Sequence, residues 1–249
     1  MLDIFRYRII TNLQCNNRCS FCYQTFKPAI GSDIVLSIDK MESTMEKVFK
    51  KNGKLKRATI MGGESLLIEN ISKYIEITKK YAETVCLVTN GRLITLDLLK
   101  SMVLAGLDEI AISIYSLKNF KEMLSILNVT NMVIPNMRVN IPRCDESSYD
   151  KLKKLVEMCL DNNFGCVVCE DLMGRFGEPH DKVISKWENI KEVSNEHNFI
   201  LYKNLERNKN FGLFAHYIGY NNTDIIITPL GNYCSWEKYC NKIENYDLH

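Results

Sequence analysis

The stretch Thr11-Asn-Leu-Gln-Cys-Asn-Asn-Arg-Cys-Ser-Phe-Cys-Tyr23 places three cysteines, Cys15, Cys19 and Cys22, in one short segment. Iron–sulfur cubes are normally held by four thiolates, so three neighbouring thiolates leave one iron without a protein ligand. That open corner can hold a small molecule and pass an electron to it. The spacing therefore indicates a candidate catalytic cluster rather than a simple electron carrier.

Zinc and disulfide bonds are the alternative interpretations of the three cysteines. A zinc site would need a fourth Cys or His close by, whereas the next such residues are Cys86 and His180. Disulfides form in oxidising compartments, but the segment Met1-Leu-Asp-Ile-Phe-Arg-Tyr-Arg8 carries charges where a signal peptide needs apolar residues. We therefore expect a cytoplasmic protein whose ten cysteines are free thiols or metal ligands.

The composition predicts one globular domain, or one domain with a small appendage, from 249 residues that are 46% hydrophobic and 25% charged. A net charge of +2 gives no reason to expect nucleic acid or an anionic membrane as a partner. No apolar run is long enough for a membrane span. One basic cluster has two interpretations, a solvated helix end, which is favoured, and a docking surface for an acidic electron donor. Its members are Lys47, Lys50, Lys51, Lys54, Lys56 and Arg57.

Strand-like and helix-like stretches alternate and predict six strands and five helices. The predicted strands lie near Phe5–Ile9, Arg57–Met61, Thr84–Thr89, Glu109–Ile114, Met132–Ile141 and Cys166–Leu172. The predicted helices lie near 38–49, 67–81, 98–103, 119–127 and 152–160. This alternation implies a parallel sheet with right-handed crossovers, in which ligands bind at the carboxyl ends of the strands.

The C-terminal part of the chain has a different pattern. Its apolar spacing predicts a helix near 182–197, and Asp224–Cys234 has the pattern of a strand, a turn and a second strand. We therefore expect a core over residues 1–172. Residues 173–249 would form an extension of a helix and a β-hairpin that packs on the core or closes it.

The cysteine spacing, with Phe21 and Tyr23 around the last cysteine, resembles the signature of the radical S-adenosylmethionine (radical SAM) superfamily. Met61-Gly-Gly-Glu64 resembles the Gly-Gly-Glu motif of that family, and Val88-Thr-Asn-Gly91 resembles its third-strand ending. Ser65 stands where many relatives have proline, and serine permits the turn without fixing it. The resemblance covers about residues 4–172. It implies an α/β fold, a (β/α)6 partial TIM barrel with a short C-terminal extension.

The resemblance also implies a [4Fe-4S] cluster and S-adenosylmethionine as cofactors. The three cysteines would bind three irons, and the fourth iron would take the amino and carboxylate groups of S-adenosylmethionine. Gly62 and Gly63 would let the backbone approach that cofactor, and Glu64 would accept a hydrogen bond from its ammonium group. The alternative is an ordinary Gly-Gly turn followed by a surface glutamate.

Five further residues are candidates for binding the same cofactor. The backbone of Phe21 lies near the adenine in relatives, and Asn90 follows the third strand. Ser113, Arg138 and Asn140 are polar positions in apolar strands, and the last two share one face. If that face points into the barrel, these side chains can bind the ribose or the methionine carboxylate. The alternatives are packing for Phe21, a turn for Asn90 and a solvated face for the other three.

The resemblance predicts an enzyme that removes hydrogen from a peptide or a small metabolite, with a one-electron donor such as flavodoxin or ferredoxin as partner. Thr228-Pro-Leu-Gly-Asn-Tyr-Cys234 resembles the start of the SPASM or twitch appendages of peptide-modifying members, which hold extra clusters. Cys234 and Cys240 would supply two ligands to such a cluster, but with nine residues after Cys240 we do not expect a full appendage. With 14 residues before Cys15 we do not expect a leader-peptide-binding domain in this sequence, although such a domain could be a separate chain.

Three other functions stay open at this point. Glycyl-radical activating enzymes share the size and cluster spacing, and viperin-like nucleotide dehydratases share a broadly similar order of early motifs. A cysteine-bearing metal-binding module could keep the fold without catalysis, although the complete cysteine set and Glu64 argue against it. Cys166-Val-Val-Cys169 is not expected to bind a metal, because residues three apart on a strand face opposite sides.

Overall fold

The computed structural model describes residues 6–19, 22, 34–134, 136–142, 149–169, 180–196, 199–214 and 224–233. Within them the helices are Ile38–Asn52 (α1), Ile71–Tyr81 (α2), Leu96–Leu104 (α3), Leu117–Val133 (α4), Tyr149–Asp161 (α5) and His180–Ile184 (α6). The strands are Arg6–Ile10 (β1), Leu55–Met61 (β2), Ala82–Thr89 (β3), Glu109–Ser113 (β4), Met137–Pro142 (β5), Gly165–Cys169 (β6), Ile190–Glu196 (β7), Phe199–Asn204 (β8), Lys209–Phe214 (β9), Asp224–Thr228 (β10) and Gly231–Tyr233 (β11). None of the helices in these ranges combines the length and the apolar character needed to cross a membrane.

The first of two compact units contains Met1–Ile110, Met132–Asn136 and Asn221–His249. Its strands lie in the order β11-β10-β1-β2-β3. The strands from β10 to β3 are parallel, and β11 runs antiparallel to β10. Ser37 caps α1 by accepting a hydrogen bond from the Lys40 amide, and α1 and α2 form the crossovers that parallel neighbours require.

The second unit contains Ala111–Asn131 and Met137–Tyr220. Its strands lie in the order β5-β6-β9-β8-β7. Strands β5, β6 and β9 are parallel, whereas β8 and β7 continue the sheet in antiparallel fashion. Both units therefore contain the parallel strands and crossover helices of the predicted α/β fold class.

The two faces of β1 have different surroundings. Tyr7 and Ile9 are fully buried, and the Tyr7 hydroxyl donates to the Met45 carbonyl oxygen of α1 at 3.3 Å. This face packs on the helix layer, where burying a large apolar side chain stabilises the fold by about 1.5–3 kcal/mol. Arg6 and Arg8 point to the opposite face of the sheet because side chains alternate along a strand.

Asp224 joins β10 to β1 through a buried ion-pair cluster. Its carboxylate accepts hydrogen bonds from the Nε atoms of Arg6 and Arg8, the latter at 3.2 Å, and the Arg8 guanidinium also reaches Thr59 Oγ1 at 3.3 Å. Burial alone would raise the pKa of Asp224, but the charges and hydrogen bonds of the two arginines hold it below its usual value. This cluster therefore fixes a strand from the C-terminal part of the chain against the first strand.

We expect Asp224→Asn to lower the free energy of unfolding by about 3–5 kcal/mol, because removing one partner of a buried pair leaves the other charges uncompensated. Urea unfolding followed by circular dichroism measures this change. Glu46→Gln is the matched control, because Glu46 forms an exposed pair with Lys50 and should leave the unfolding midpoint unchanged. Equal midpoints for Asp224→Asn and the parent chain would contradict the prediction.

The same carboxylate predicts a loss of stability in acid. Because the pKa of Asp224 is lowered in the folded protein, its contribution is complete above the unfolded-state value of about 3.9. That contribution is lost as the pH falls from there through the folded value. Between pH 5 and pH 3, the parent chain should therefore lose more unfolding free energy than Asp224→Asn. Parallel slopes for the two proteins would contradict this prediction.

The helix predicted near 182–197 is wrong beyond its first turn. Helix α6 ends at Ile184, Asn189 adopts a left-handed conformation with φ of 61°, and residues from Ile190 onward pair with β8 instead. Strands β7, β8 and β9 thus form an antiparallel arrangement that the apolar spacing did not indicate. Tertiary pairing overrides local periodicity in this segment.

Two other predicted boundaries also differ. The helix predicted near 119–127 extends to Val133, and the strand predicted from Met132 begins at Met137, so the change falls around Pro135, as helix-breaking by proline requires. The strand–turn–strand pattern after Asp224 is confirmed by β10 and β11. The division into a core over 1–172 and an extension over 173–249 stays a prediction.

Candidate active site

The loops after β1, β2 and β3 lie together because the three strands are parallel and end at one edge. The Thr11 amide donates to the Met61 carbonyl oxygen at 2.8 Å, and the Gly63 amide donates to the Asn12 carbonyl oxygen at 2.9 Å. The Asn90 amide donates to Glu64 Oε2 at 2.8 Å. The structure therefore brings together the cysteine loop, the Gly62–Glu64 turn and Asn90, which were separate segments in the sequence.

The three cysteines of the loop are half-buried and form no disulfide. The Cys22 amide donates to the Cys19 carbonyl oxygen at 3.1 Å, and the Asn17 amide donates to Cys15 Sγ at 3.4 Å. Burial raises the pKa of Cys15, while hydrogen bonds from the Asn17 backbone and the Asn90 side chain act in the opposite direction. Burial and the neighbouring Cys22 and Cys15 raise the pKa of Cys19 to about 11. Mutual electrostatic interaction of this kind requires thiols that lie near one another.

The two glycines of the turn lie against the cysteine loop. A Cβ atom on Gly62 would be 2.4 Å from Asn12 Oδ1, and one on Gly63 would be 2.1 Å from the Gln14 carbonyl oxygen. Real Cβ atoms do not approach other atoms so closely. The glycines therefore let the second loop contact the backbone of the first; their predicted approach to the cofactor stays a prediction.

Glu64 is a buried residue that connects all three loops, and only 2% of it is exposed. Its amide donates to the Gln14 carbonyl oxygen at 2.8 Å, and its carbonyl oxygen accepts from Asn12 Nδ2 at 2.9 Å. Its Oε1 accepts from Thr89 Oγ1 at 2.6 Å and from the Leu66 amide at 3.0 Å. The alternative of a surface glutamate does not fit this burial.

Burial raises the pKa of the Glu64 carboxyl, and hydrogen bonds from the Asn90 amide, Thr89 and the Leu66 amide act in the opposite direction. Two of these donors bond to Oε1 and one bonds to Oε2. The observed partners of the carboxylate are therefore protein groups, and the hydrogen bond that Glu64 would accept from the ammonium group of S-adenosylmethionine stays a prediction.

Sequence reasoning missed three polar residues of this site: Asn12, Asn16 and Thr89. Asn12 bonds to Gly63 and Glu64 of the turn, Thr89 donates to Glu64, and Asn16 Oδ1 accepts from Asn90 Nδ2 at 2.6 Å. A usable signal was present, because all three lie close to motif residues in the sequence: Asn12 is three residues before Cys15, Asn16 directly follows it, and Thr89 directly precedes Asn90.

Three further predicted cofactor residues have contacts within the second unit. Ser113, Arg138 and Asn140 belong to the second unit, where Arg138 Nε donates to Asn140 Oδ1 at 3.2 Å and the Ile114 amide donates to the Asn140 carbonyl oxygen at 2.9 Å. Arg138 and Asn140 are half-buried while their strand neighbours Val139 and Ile141 are buried, as the alternation requires. Their role toward the cofactor stays a prediction. Phe21, Cys234 and Cys240 lie outside the described residues.

The structure also gives the positions of the Cys166–Cys169 pair and of the lysine cluster. Cys166 is buried and Cys169 is half-buried, as expected for residues on opposite faces of β6. The lysine cluster adjoins the amino end of β2, where Lys50 pairs with Glu46. That strand spans about 20 Å, so these lysines lie at the edge opposite the cysteine loop.

Among the described residues, no three His, Cys, Asp or Glu side chains converge on the position of a single metal ion. A tetrahedral zinc site would need its ligands within about 2.3 Å of one point. An iron–sulfur cube differs because each thiolate binds a different iron.

These features define a class of α/β protein with a cluster-binding loop. Its parallel strands end at a three-cysteine loop, a Gly-Gly turn and a buried glutamate. Residues 9–185 match the radical SAM superfamily, and this match covers well over half of the 249 residues. The chain belongs to the radical SAM superfamily. Members of this family use a [4Fe-4S] cluster and S-adenosylmethionine.

Two curated relatives share part of the chain. A probable GTP 3′,8-cyclase of Thermococcus kodakarensis is 27% identical over 113 residues, which are 45% of this chain and 35% of the relative. An S-adenosylmethionine-dependent nucleotide dehydratase of Lacinutrix mariniflava is 36% identical over 104 residues, which are 41% of this chain and 22% of the relative. The chain therefore matches about a third or less of the length of these relatives.

Solved structures of SuiB from Streptococcus suis share the fold. SuiB bound to its precursor peptide SuiA has a TM-score of 0.67 at 15% identity, covering 99% of this chain and 63% of SuiB. SuiB bound to S-adenosylmethionine has a TM-score of 0.65 at 15% identity, covering 94% of this chain and 58% of SuiB. The predicted partial-barrel fold class is confirmed by this similarity.

Proposed function

We propose that this chain is a radical SAM enzyme whose [4Fe-4S] cluster is bound by Cys15, Cys19 and Cys22. The observation that carries the proposal is the position of the three thiols, which lie in one loop held at the carboxyl edge of parallel strands by the Gly62–Glu64 turn. When bound, the cluster supplies the electron that cleaves S-adenosylmethionine and yields a 5′-deoxyadenosyl radical, which removes hydrogen from the substrate.

The chain's own residues position and shield this chemistry. Gly62 and Gly63 allow the second loop to contact the first, so the cysteine loop has a fixed path. Glu64 holds the third-strand ending beside that loop through its bonds to Thr89 and the Asn90 amide. Buried, hydrogen-bonded support of this kind keeps the ligands of a site in place, as the outer partners of metal ligands do.

A peptide is the proposed substrate. SuiB, whose fold covers nearly all of this chain, was solved with a precursor peptide. The resemblance of Thr228–Cys234 to the start of the appendages of peptide-modifying members points to the same class. This stretch begins at Thr228, the last residue of β10. Strand β10 lies directly beside β1, and β1 leads into the cysteine loop.

A nucleotide is the second candidate substrate. Both curated relatives have names that refer to nucleotides, and their identity to this chain is higher than that of SuiB. The shared stretch is less than half of this chain in each case, so it supports the cofactor chemistry more directly than the substrate. A nucleotide substrate would agree with the viperin-like alternative that the motif order left open.

A one-electron donor, such as a flavodoxin or ferredoxin, is the proposed protein partner. Arg18 and Arg92 are exposed at the cysteine loop, and the charge of Arg92 acts on the Cys19 thiol. The lysine cluster lies about 20 Å away, at the other end of β2. We therefore place the donor at the loop edge and interpret the lysines as a solvated helix end.

Anaerobic reconstitution with iron and sulfide tests the proposed function. The loaded protein should contain about four irons per chain and release 5′-deoxyadenosine from S-adenosylmethionine only when a reductant is present. Adding nucleoside triphosphates should leave the rate unchanged if the substrate is a peptide and raise it if the substrate is a nucleotide. A colourless, zinc-loaded protein that releases no 5′-deoxyadenosine would contradict the proposal. About eight irons per chain would indicate a second cluster that includes Cys234 and Cys240.

A further inference from the structure

The chain that carries the cysteines leaves the sheet edge at Thr11 and Asn12 and returns to it at Val35 and Leu36. Asn12 and Val35 form an antiparallel bridge, and the Leu36 amide donates to the Thr11 carbonyl oxygen at 2.7 Å. The departing chain and the returning chain are therefore joined to each other three residues before Cys15. These four residues form the base of the cysteine loop.

The side chain of Asn12 joins the departing end to the second loop. Its Oδ1 accepts from the Gly63 amide at 3.2 Å, and its Nδ2 donates to the Glu64 carbonyl oxygen at 2.9 Å. The two partners fix the orientation of the side-chain amide, because an N–H group requires an oxygen and a carbonyl group requires a donor. Asn12 is only 1% exposed, so water does not compete for these bonds.

The returning end is held by Tyr74 of α2. Its hydroxyl donates to the Leu36 carbonyl oxygen at 2.5 Å, and both residues are buried. Leu36 therefore uses its amide toward Thr11 and its carbonyl group toward Tyr74. The next residue, Ser37, caps α1, so the base continues directly into the helix layer.

We propose that Asn12 and Tyr74 are positioning residues that close the base of the cysteine loop without help from a bound cluster, so that Cys15 and Cys19 are held near their binding arrangement in the metal-free protein. The inference rests on the proposed function, because it concerns ligands of the proposed cluster. The contacts that carry it join protein groups to one another, and none of them involves a cysteine.

The physical reason is the entropy of ordering the chain. A chain whose ends are already joined loses less conformational freedom when its thiolates bind a cluster than a chain whose ends are open. Losing one buried hydrogen bond changes an equilibrium by about fivefold. The Tyr74 hydroxyl makes one such bond and the Asn12 side chain makes two, so the expected effects are about fivefold and about tenfold or more.

Both substitutions should leave the protein folded. In Asn12→Ala, the Gly63 amide keeps the backbone carbonyl oxygen of residue 12 as its acceptor, at 2.9 Å. The Glu64 carbonyl oxygen likewise keeps the Leu67 amide as a donor, at 3.2 Å. Tyr74→Phe removes one oxygen atom and keeps the buried ring. The effects should therefore be concentrated in the cysteine loop.

Tyr7→Phe and Asn204→Ala are the matched controls. The Tyr7 hydroxyl also donates from a buried ring to a carbonyl oxygen, that of Met45 in α1, at 3.3 Å. Asn204 is also a buried asparagine, and its Oδ1 accepts from the Arg207 amide at 2.9 Å. The first bond reaches α1 and the second lies in the second unit, so neither belongs to the base.

Two rates are measured for the parent chain and for each variant. The metal-free protein is digested briefly with trypsin, and mass spectrometry gives the rate of cleavage after Arg18, which is an exposed residue between Cys15 and Cys19. The reconstituted protein is exposed to a chelator, and the rate of iron loss is followed. Urea unfolding of each metal-free protein shows how far these rates reflect global stability.

We expect trypsin to cleave Asn12→Ala about tenfold faster than the parent or more, and Tyr74→Phe about fivefold faster. Iron loss should accelerate in the same order, and both controls should match the parent in both rates. Parent-like cleavage in either base variant overturns the role of that residue, whatever its iron loss. Equal acceleration in a control with the same unfolding midpoint also overturns the inference, because the effect is then one of global stability.

These outcomes leave the proposed function intact, because the trypsin rate is measured without a cluster. A parent chain that binds no iron after reconstitution overturns the proposed function instead, and the cleavage rates then still decide whether Asn12 and Tyr74 close the base.

Discussion

Cys19→Ala is expected to remove most of the bound iron and to lower 5′-deoxyadenosine formation by more than about a hundredfold. Loss of an outer partner of a metal ligand typically costs about 10–100-fold, and loss of one of only three ligands should cost more. Cys19 is also the middle one of the three cysteines along the chain. Iron content, visible absorbance and product formation after anaerobic reconstitution measure the effect.

Cys169→Ala is the matched control for this prediction. Cys169 is also a half-buried cysteine outside any disulfide, but it belongs to the second unit and its Sγ lies 3.9 Å from the Val167 carbonyl oxygen. We expect it to retain the iron content and product formation of the parent chain. The cluster assignment would be refuted if Cys19→Ala behaved like this control, or if both variants lost their iron together.

Sequence reasoning could place the site because the rule it needs is local. Each motif directly follows a strand, and parallel strands end at the same edge. That rule is sufficient to predict that Cys15, Gly63 and Asn90 lie together, since it requires only the direction of three strands and no side-chain positions.

The partners within the site could not be predicted in the same way. The sequence around Glu64 is compatible with an exposed turn, and its burial depends on Thr89 and Asn90, which are about 25 residues further along the chain. Likewise, the two glycines predicted a close approach to a ligand, which stays a prediction, but their contacts with Asn12 and Gln14 could not be read from the sequence. Contacts of this type depend on how two loops meet, which local patterns do not encode.

The C-terminal part also combines a local feature that the sequence predicts with a long-range contact that it does not. The turn of Thr228-Pro-Leu-Gly231 was visible as a local signal, and the hairpin exists. Its position beside β1 was not visible, because it depends on Asp224 pairing with Arg6 and Arg8 more than 210 positions earlier. The strand β7 was mistaken for a helix because its pairing with β8 outweighs its own apolar spacing.

Gly63→Ala is expected to separate the second loop from the cysteine loop. The new Cβ would be 2.1 Å from the Gln14 carbonyl oxygen and 2.9 Å from the Leu13 carbonyl carbon, which are backbone atoms that cannot rotate away. Overpacking costs about 1–3 kcal/mol, and two backbone hydrogen bonds to the loop, of Gly63 and Glu64, add about 1 kcal/mol each. We expect a loss of about 3–5 kcal/mol of unfolding free energy and less than half of the parent's iron after reconstitution.

Gly165→Ala tests whether the effect comes from the contact or from the loss of a glycine. Its Cβ would be 3.7 Å from the Met137 carbonyl oxygen and 3.9 Å from Arg138 Cβ, which are ordinary distances, so stability should be unchanged or slightly higher. Thermal unfolding and iron content are measured for both variants, with a midpoint shift of about 2–4 °C expected for each kcal/mol lost. If Gly63→Ala unfolds and binds iron as Gly165→Ala does, the glycine contact with Gln14 does not hold the cysteine loop. Because the contact between Gly63 and Gln14 positions the cysteine loop, Gly63→Ala should lose iron under conditions in which the protein is still folded.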